Sequence, residues 1–272
     1  LSPVNSTDGG ITWKATLTPA VGITDPTNLI TLDNTGVTDL AGNTGTDNTN
    51  SNNYAIDTNR PTATIVVADN TLSIGETPTV TITFSEAVIG FTNDDLTIAN
   101  GTLSAVSSTD GGITWKATLT PATGITDPTN LIILDNTGVT DVAGNAGTGI
   151  TNSNNYAVNT NRPTATIVVA DNALSISETP TVTITFSEAI TGFTNDDLTV
   201  ANGTLSAVSS TDGGITWKAT LTPAAEITYL ANVITLDNTG ITAVLSGNAG
   251  TGVTNSNNYT IDTNRPTATI VV

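Results

Sequence analysis

Short runs in which every second residue is apolar recur along the whole chain. At 78–84 the sequence PTVTITF puts Val80, Ile82 and Phe84 on one side and Thr79, Thr81 and Thr83 on the other. Ile113, Trp115, Ala117 and Leu119 repeat the pattern, with Thr114, Lys116 and Thr118 opposite. A period of two belongs to a strand with one face on a core. The Trp of this run therefore reads as a core residue, ahead of a sugar-stacking platform. Turn residues separate the runs. Asn100-Gly101, between two half-apolar stretches, reads as a hairpin turn, and Asp110-Gly111-Gly112 as the next turn of a local meander. Strands are predicted at 62–68, 78–84, 95–99, 102–107, 113–120, 130–134 and 154–158, with their loops at alternating poles. Roughly seven short strands per unit predict an all-β fold, an immunoglobulin-like antiparallel β-sandwich. The chain has no Cys, so the two sheets rely on packing alone.

The pattern is written almost three times. Trp13, Trp115 and Trp217 sit in the same surroundings, STDGGITWKATLTPA, at a spacing of about 100 residues, and Arg60, Arg162 and Arg265 each open the phrase RPTATIVV. Solenoid units recur at roughly 20–50 residues, so this longer period is one domain per repeat. The units read as 1–57 (the later part of a repeat), 58–160 and 161–263 (complete repeats) and 264–272 (the first strand of another). The expected arrangement is tandem sandwiches placed end to end as a rod.

Composition removes several function classes. With 24 acids against 6 bases and a formal charge of −18, there is no basic footprint for nucleic acid. Without His or Cys, Ser-His and Cys-His catalysis are excluded and zinc is disfavoured. The paired carboxylates Asp94-Asp95 and Asp196-Asp197 lack the protected acid in a cleft that a glycosidase needs. No enzyme is expected. No apolar run of membrane-spanning length and no targeting segment is visible, so no membrane insertion is expected from these residues.

Acidity without bases has a bland reading, solubility and self-repulsion, and a sharper one, hard-cation binding by clustered oxygens. In a sandwich with these strands, the loop SEAVIGFTNDD (85–95) and the loop GVTDVAGN (138–145) share the pole at which the chain enters. They bring Glu86, Asp94, Asp95, Asp141 and Asn145 to the junction, and the linker adds Asp57. Such a set suits the six to eight oxygens of calcium; the competing reading is that Asp and Asn simply favour tight loops. A rival cluster, Asp69, Glu76, Asp127 and Asp135, is expected at the opposite pole. At the second junction Glu188, Asp196, Asp197 and Asn248 remain. There, however, Asn159 replaces Asp57, and Ala243 replaces Asp141 beside a one-residue insertion, VLSGN for VAGN. Weaker calcium binding, or none, is expected there.

The phrases IDTNRPTATI, ETPTVTITFSEAV, GFTNDDLTIANGTL and GVTDLAGN resemble the bacterial Ig-like domains of giant surface adhesins and biofilm-associated proteins. The resemblance covers the whole chain. It implies stalk repeats, exported by a one-step secretion route to the bacterial cell surface or beyond it and rigidified by calcium between domains. The family's acidic linker position falls on Asp57 and Asp262, with the departure at Asn159. The nonapeptide GGxGxD calcium repeats are absent. The partners implied are neighbouring repeats of the same chain. Two other readings stay open: an adhesive module for a glycan or other cell-surface or matrix ligand, signalled by Tyr229 in place of Asp127, and self-association by strand addition between chains.

Overall fold

The computed structural model describes residues 1–271. The chain is built of short strands and single-turn 3-10 helices, and among the described residues no helix is long and apolar enough to cross a membrane. In the unit 58–160 one sheet runs Gly101–Leu103, Thr114–Pro121, Thr79–Phe84, Ala63–Val67, all antiparallel, with Ser107–Ser108 also on Thr114–Pro121. The facing layer has two parts. Leu96–Ile98, Ile132–Asp135 and Ile150–Asn152 form one; Thr126–Asn130, Tyr156–Asn159 and Thr71–Leu72 form the other. Thr71–Leu72 is parallel to Tyr156–Asn159. The unit 161–263 repeats this order strand for strand. The expected tandem sandwiches are observed.

The alternation read from the sequence places the core. Val80, Ile82, Leu119, Ile132, Leu134 and Tyr156 are fully enclosed between the layers. Each large apolar side chain buried this way contributes about 1.5–3 kcal/mol. Tyr156 carries a polar group into this core, and its hydroxyl donates to Ala99 O at 2.6 Å. Burial, with the charge of Asp127, pushes its pKa up to about 12. Residues 1–57 supply only the later strands of a unit. Leu32 there is 52% exposed, whereas its counterpart Leu134 is 0% exposed.

Three details differ from the sequence reading. Asn100-Gly101 is not a hairpin turn: Leu96–Ile98 pairs with Ile132–Asp135, and Gly101–Leu103 with Thr114–Pro121, so these residues carry the chain from one sheet to the other. Asn100 takes a left-handed φ of 49° and is held by its side-chain amide, which donates to Asp127 Oδ2 and Asn130 Oδ1. Trp115 packs on the margin of the core rather than within it. It meets Phe91 edge-on at 5.2 Å, and its indole N–H is satisfied by Gly112 O at 3.1 Å. Neighbouring Ile113, expected inside, is exposed. Finally, the stretch expected as one strand at 130–134 is two, Thr126–Asn130 and Ile132–Asp135, lying in different parts of the layer.

Candidate metal centre

The linkers are short and hydrogen-bonded in both directions. Thr58 ties back to the preceding unit: its hydroxyl donates to Ala20 O at 2.8 Å and accepts from the Ile23 amide at 2.9 Å. Arg60 ties forward, its guanidinium donating to Ala146 O at 2.6 Å. Thr160 and Arg162 repeat both contacts at the second junction, to Ala122 O and Ile125 N and to Ala249 O. Two backbone pairings then fix the loops facing the linker. Val88–Ile89 pairs with Thr140–Asp141, which sets Val88 opposite Asp141. Gly112 holds the other side of that loop: its φ is 97°, and a Cβ there would lie 2.6 Å from Val88 O. Only glycine allows so close an approach.

This local order brings three carboxylates together. One oxygen each from Asp57, Glu86 and Asp141 lie within 4.8 Å of one another, and no other such group occurs among the described residues. Asp141 is buried. Burial opposes its ionisation, but hydrogen bonds from Asn145 outweigh it and hold its carboxyl below the usual range. The Asn145 amide N–H reaches Asp141 Oδ1 and its side chain reaches Oδ2, both at 2.8 Å. The same side chain donates to Asp57 O at 3.2 Å and so joins loop to linker. Glu86 is pushed up, first by burial and then by the negative charges of Asp57 and Asp141. Asp57 uses Oδ1 for the Thr24 hydroxyl and the Asn59 amide.

The donor set suits a hard divalent cation. Three carboxylates converge, two of them from loops pinned by strand pairing, and the negative charges of Asp57 and Asp141 add to burial in raising Glu86. No His or Cys is present to favour a softer metal.

The remaining candidates lie elsewhere. Asp94 and Asp95 lie in the 3-10 turn Asn93–Asp95; Asp95 Oδ2 accepts from the Thr92 amide at 2.8 Å in a capping box. Its other oxygen packs against Gly138, where a Cβ would collide with it. Asp196 and Asp197 repeat this arrangement with Thr194. Asp262 is exposed and accepts from the Thr228 hydroxyl at 2.9 Å. Glu188 stands without the other two carboxylates and is raised by burial alone. Of the rival set, Asp69, Glu76 and Asp135 each accept from a nearby backbone amide, and Asp127 also holds Asn100. They do not converge.

Sequence reasoning placed Asn248 at the second junction but missed that it binds there by hydrogen bonds. Its side chain donates to Asn159 O at 2.9 Å and Asn161 O at 2.7 Å. The inserted residue in VLSGN was the available signal.

The model of the bacterial Ig-like domain family matches the chain three times, over residues 1–56, 57–158 and 159–261. No curated protein matches it. Among solved structures, the Escherichia coli adhesin FdeC is similar at 15% identity and a TM-score of 0.33, over 75% of this chain and 64% of that one. The Yersinia pseudotuberculosis adhesin InvE is similar at 18% identity and a TM-score of 0.28, over 74% and 58%. Tandem Ig repeats of Dlar align at 12% identity and a TM-score of 0.23, over 75% and 99%. The chain thus spans less than two thirds of either adhesin structure, and scores this low transfer no function to it.

Proposed function

The chain belongs to the bacterial Ig-like domain family, and from that premise we propose that its repeats are structural spacers in the stalk of an extracellular bacterial adhesin or biofilm matrix protein, rigidified by calcium between domains. The observation that carries this reading is the meeting of Asp57, from the linker, with Glu86 and Asp141, from two loops of the following unit. An ion held by all three would tie the linker to that unit. Calcium would supply the positive charge that the cluster lacks; the three side chains would supply oxygens, with Asn145 orienting Asp141. Where calcium is scarce the cluster repels itself and the joint loosens; at millimolar calcium the joint closes. An acidic chain without Cys and with near-identical repeats suits such a stalk, which needs length rather than chemistry.

Small-angle scattering of the full chain, in chelator and in millimolar calcium, tests the reading. The expected result is a longer maximum dimension and reduced flexibility with calcium. Identical curves in the two conditions would overturn it.

A further inference from the structure

The second joint contains a cross-domain contact that the calcium reading does not use. Asn248 is only 3% exposed. Besides donating to Asn159 O and Asn161 O, its side-chain oxygen accepts from the Ile74 amide at 3.0 Å. Ile74 lies in the turn after Thr71–Leu72 of the preceding unit, 174 residues away. One carboxamide, carried by the loop of the unit after the joint, therefore binds both the unit before it and the linker. Both of its amide hydrogens and one lone pair of its oxygen are used, so neither polar atom of this buried amide is left unpaired.

Residues 1–57 hold no counterpart of the Ile74 turn, so the two joints are comparable on the donor side of the amide only. At the first joint Asn145 spends one donor on Asp141 Oδ2. At the second, Ala243 stands in place of Asp141, so no carboxylate competes for the amide. The insertion also reshapes the loop. Val244 N gains a bond to Ala189 O, and Ser246 Oγ accepts from the Asn248 amide at 3.3 Å. Leu245 and Ser246 then line a cleft together with Thr71, Ser73, Glu76 and Asn159 of the preceding unit.

We infer that Asn248 is a neutral clamp that docks the Ile74 turn of one repeat onto the Ala243–Asn248 loop of the next, fixing the second joint without any ion. No carboxylate enters this contact, so it stands whether or not the first joint binds calcium.

The test uses the full chain, whose lack of Cys allows two unique labels. Spin labels at exposed positions, introduced as Thr118→Cys and Thr220→Cys, report the distance between the two complete units. One narrow distance is expected, unchanged between chelator and millimolar calcium. Asn248→Ala should lose that narrow peak. Asn248→Asp should lose it too, because it keeps size and the acceptor for Ile74 but faces two carbonyls with oxygens. A peak that moves with calcium, or stays narrow in both variants, would overturn the clamp. If both variants disturb the fold, amide exchange in the unaltered chain decides. A protected Ile74 N–H supports the clamp, and an Ile74 N–H exchanging like an open turn refutes it. Failure of the calcium reading would appear at the first joint and leave these results unchanged.

Discussion

The two joints share a frame and differ in what fills it. In both, a Thr binds back, an Arg binds forward to an Ala carbonyl, and a buried Pro follows. The first frame encloses Asp57, Glu86 and Asp141; the second encloses Asn159, Glu188 and Ala243, with Asn248 bridging. Three like charges oppose closure of the first joint, which on the proposed reading a cation offsets, whereas a carboxamide helps to close the second by hydrogen bonds alone. On that proposed reading, a few substitutions give two near-identical repeats joints of different ion dependence. A stalk so built would have joints that stiffen on contact with calcium beside joints that are always set.

The largest expected effect comes from making the first joint resemble the second. Asp141→Ala should abolish calcium-induced stabilisation. It should also cost about 1–3 kcal/mol in chelator, because the Asn145 donors lose their charged acceptor. Thermal melts with and without calcium check both parts; a calcium shift that survives the substitution breaks the comparison. Next is the reverse graft. Asn159→Asp with Ala243→Asp adds two carboxylates beside Glu188, rebuilding a set of three, and should add a calcium-dependent rise in melting temperature that the parent second joint lacks. If the doubly substituted chain melts alike in chelator and calcium, loop shape rather than residue identity separates the joints.

A smaller effect concerns strain found in one unit and not the other. Ser177 and Glu226 hold φ values of 69° and 58°, whereas the corresponding residues of the preceding unit are Gly75 and Gly124. Left-handed backbone costs a non-glycine residue about 1–2 kcal/mol, partly offset by the unfolded-state entropy glycine adds. Ser177→Gly and Glu226→Gly should each raise the melting temperature of the third unit and leave the clamp distance unchanged. A fall in stability would show that the side chains have partners of their own.

The smallest effect is a control common to both complete units. Asp110 and Asp212 each sit at about 2, held down chiefly by the backbone amide of Thr114 or Thr216, with help from Ser108 or Ser210. Their folded pKa lies below the unfolded value. The stability they add is present above about pH 4 and is lost as pH falls toward 2. Asp110→Asn and Asp212→Asn should flatten the acid limb of the stability profile equally. Unequal flattening would mean that the two units differ well away from their joints.

What the sequence made legible follows from physics that is local in the chain. Alternation at Val80, Ile82 and Phe84 located a buried strand because side-chain direction depends only on position along it. Asp57, Glu86 and Asp141 could be placed at one pole because loop polarity follows from strand order. Asn100-Gly101 misled because a left-handed Asn serves a crossover as well as a hairpin. Asp95 could not be told from a ligand, since an acid three residues after Thr92 caps a turn only when the chain bends there. Trp115 obeyed its alternation and still lies at the margin, because strand period gives the face and not the depth. The Asn248 clamp was least legible of all: its acceptor role needs an amide from another domain, and no local pattern encodes that approach.

Calorimetric titration of the full chain with calcium tests the central claim most directly, run on the parent and on the Asp141→Ala and Glu188→Gln variants. The account predicts one binding event in the parent, lost in Asp141→Ala and retained in Glu188→Gln. Two equivalent events, no event, or an event that disappears only with Glu188→Gln would contradict it.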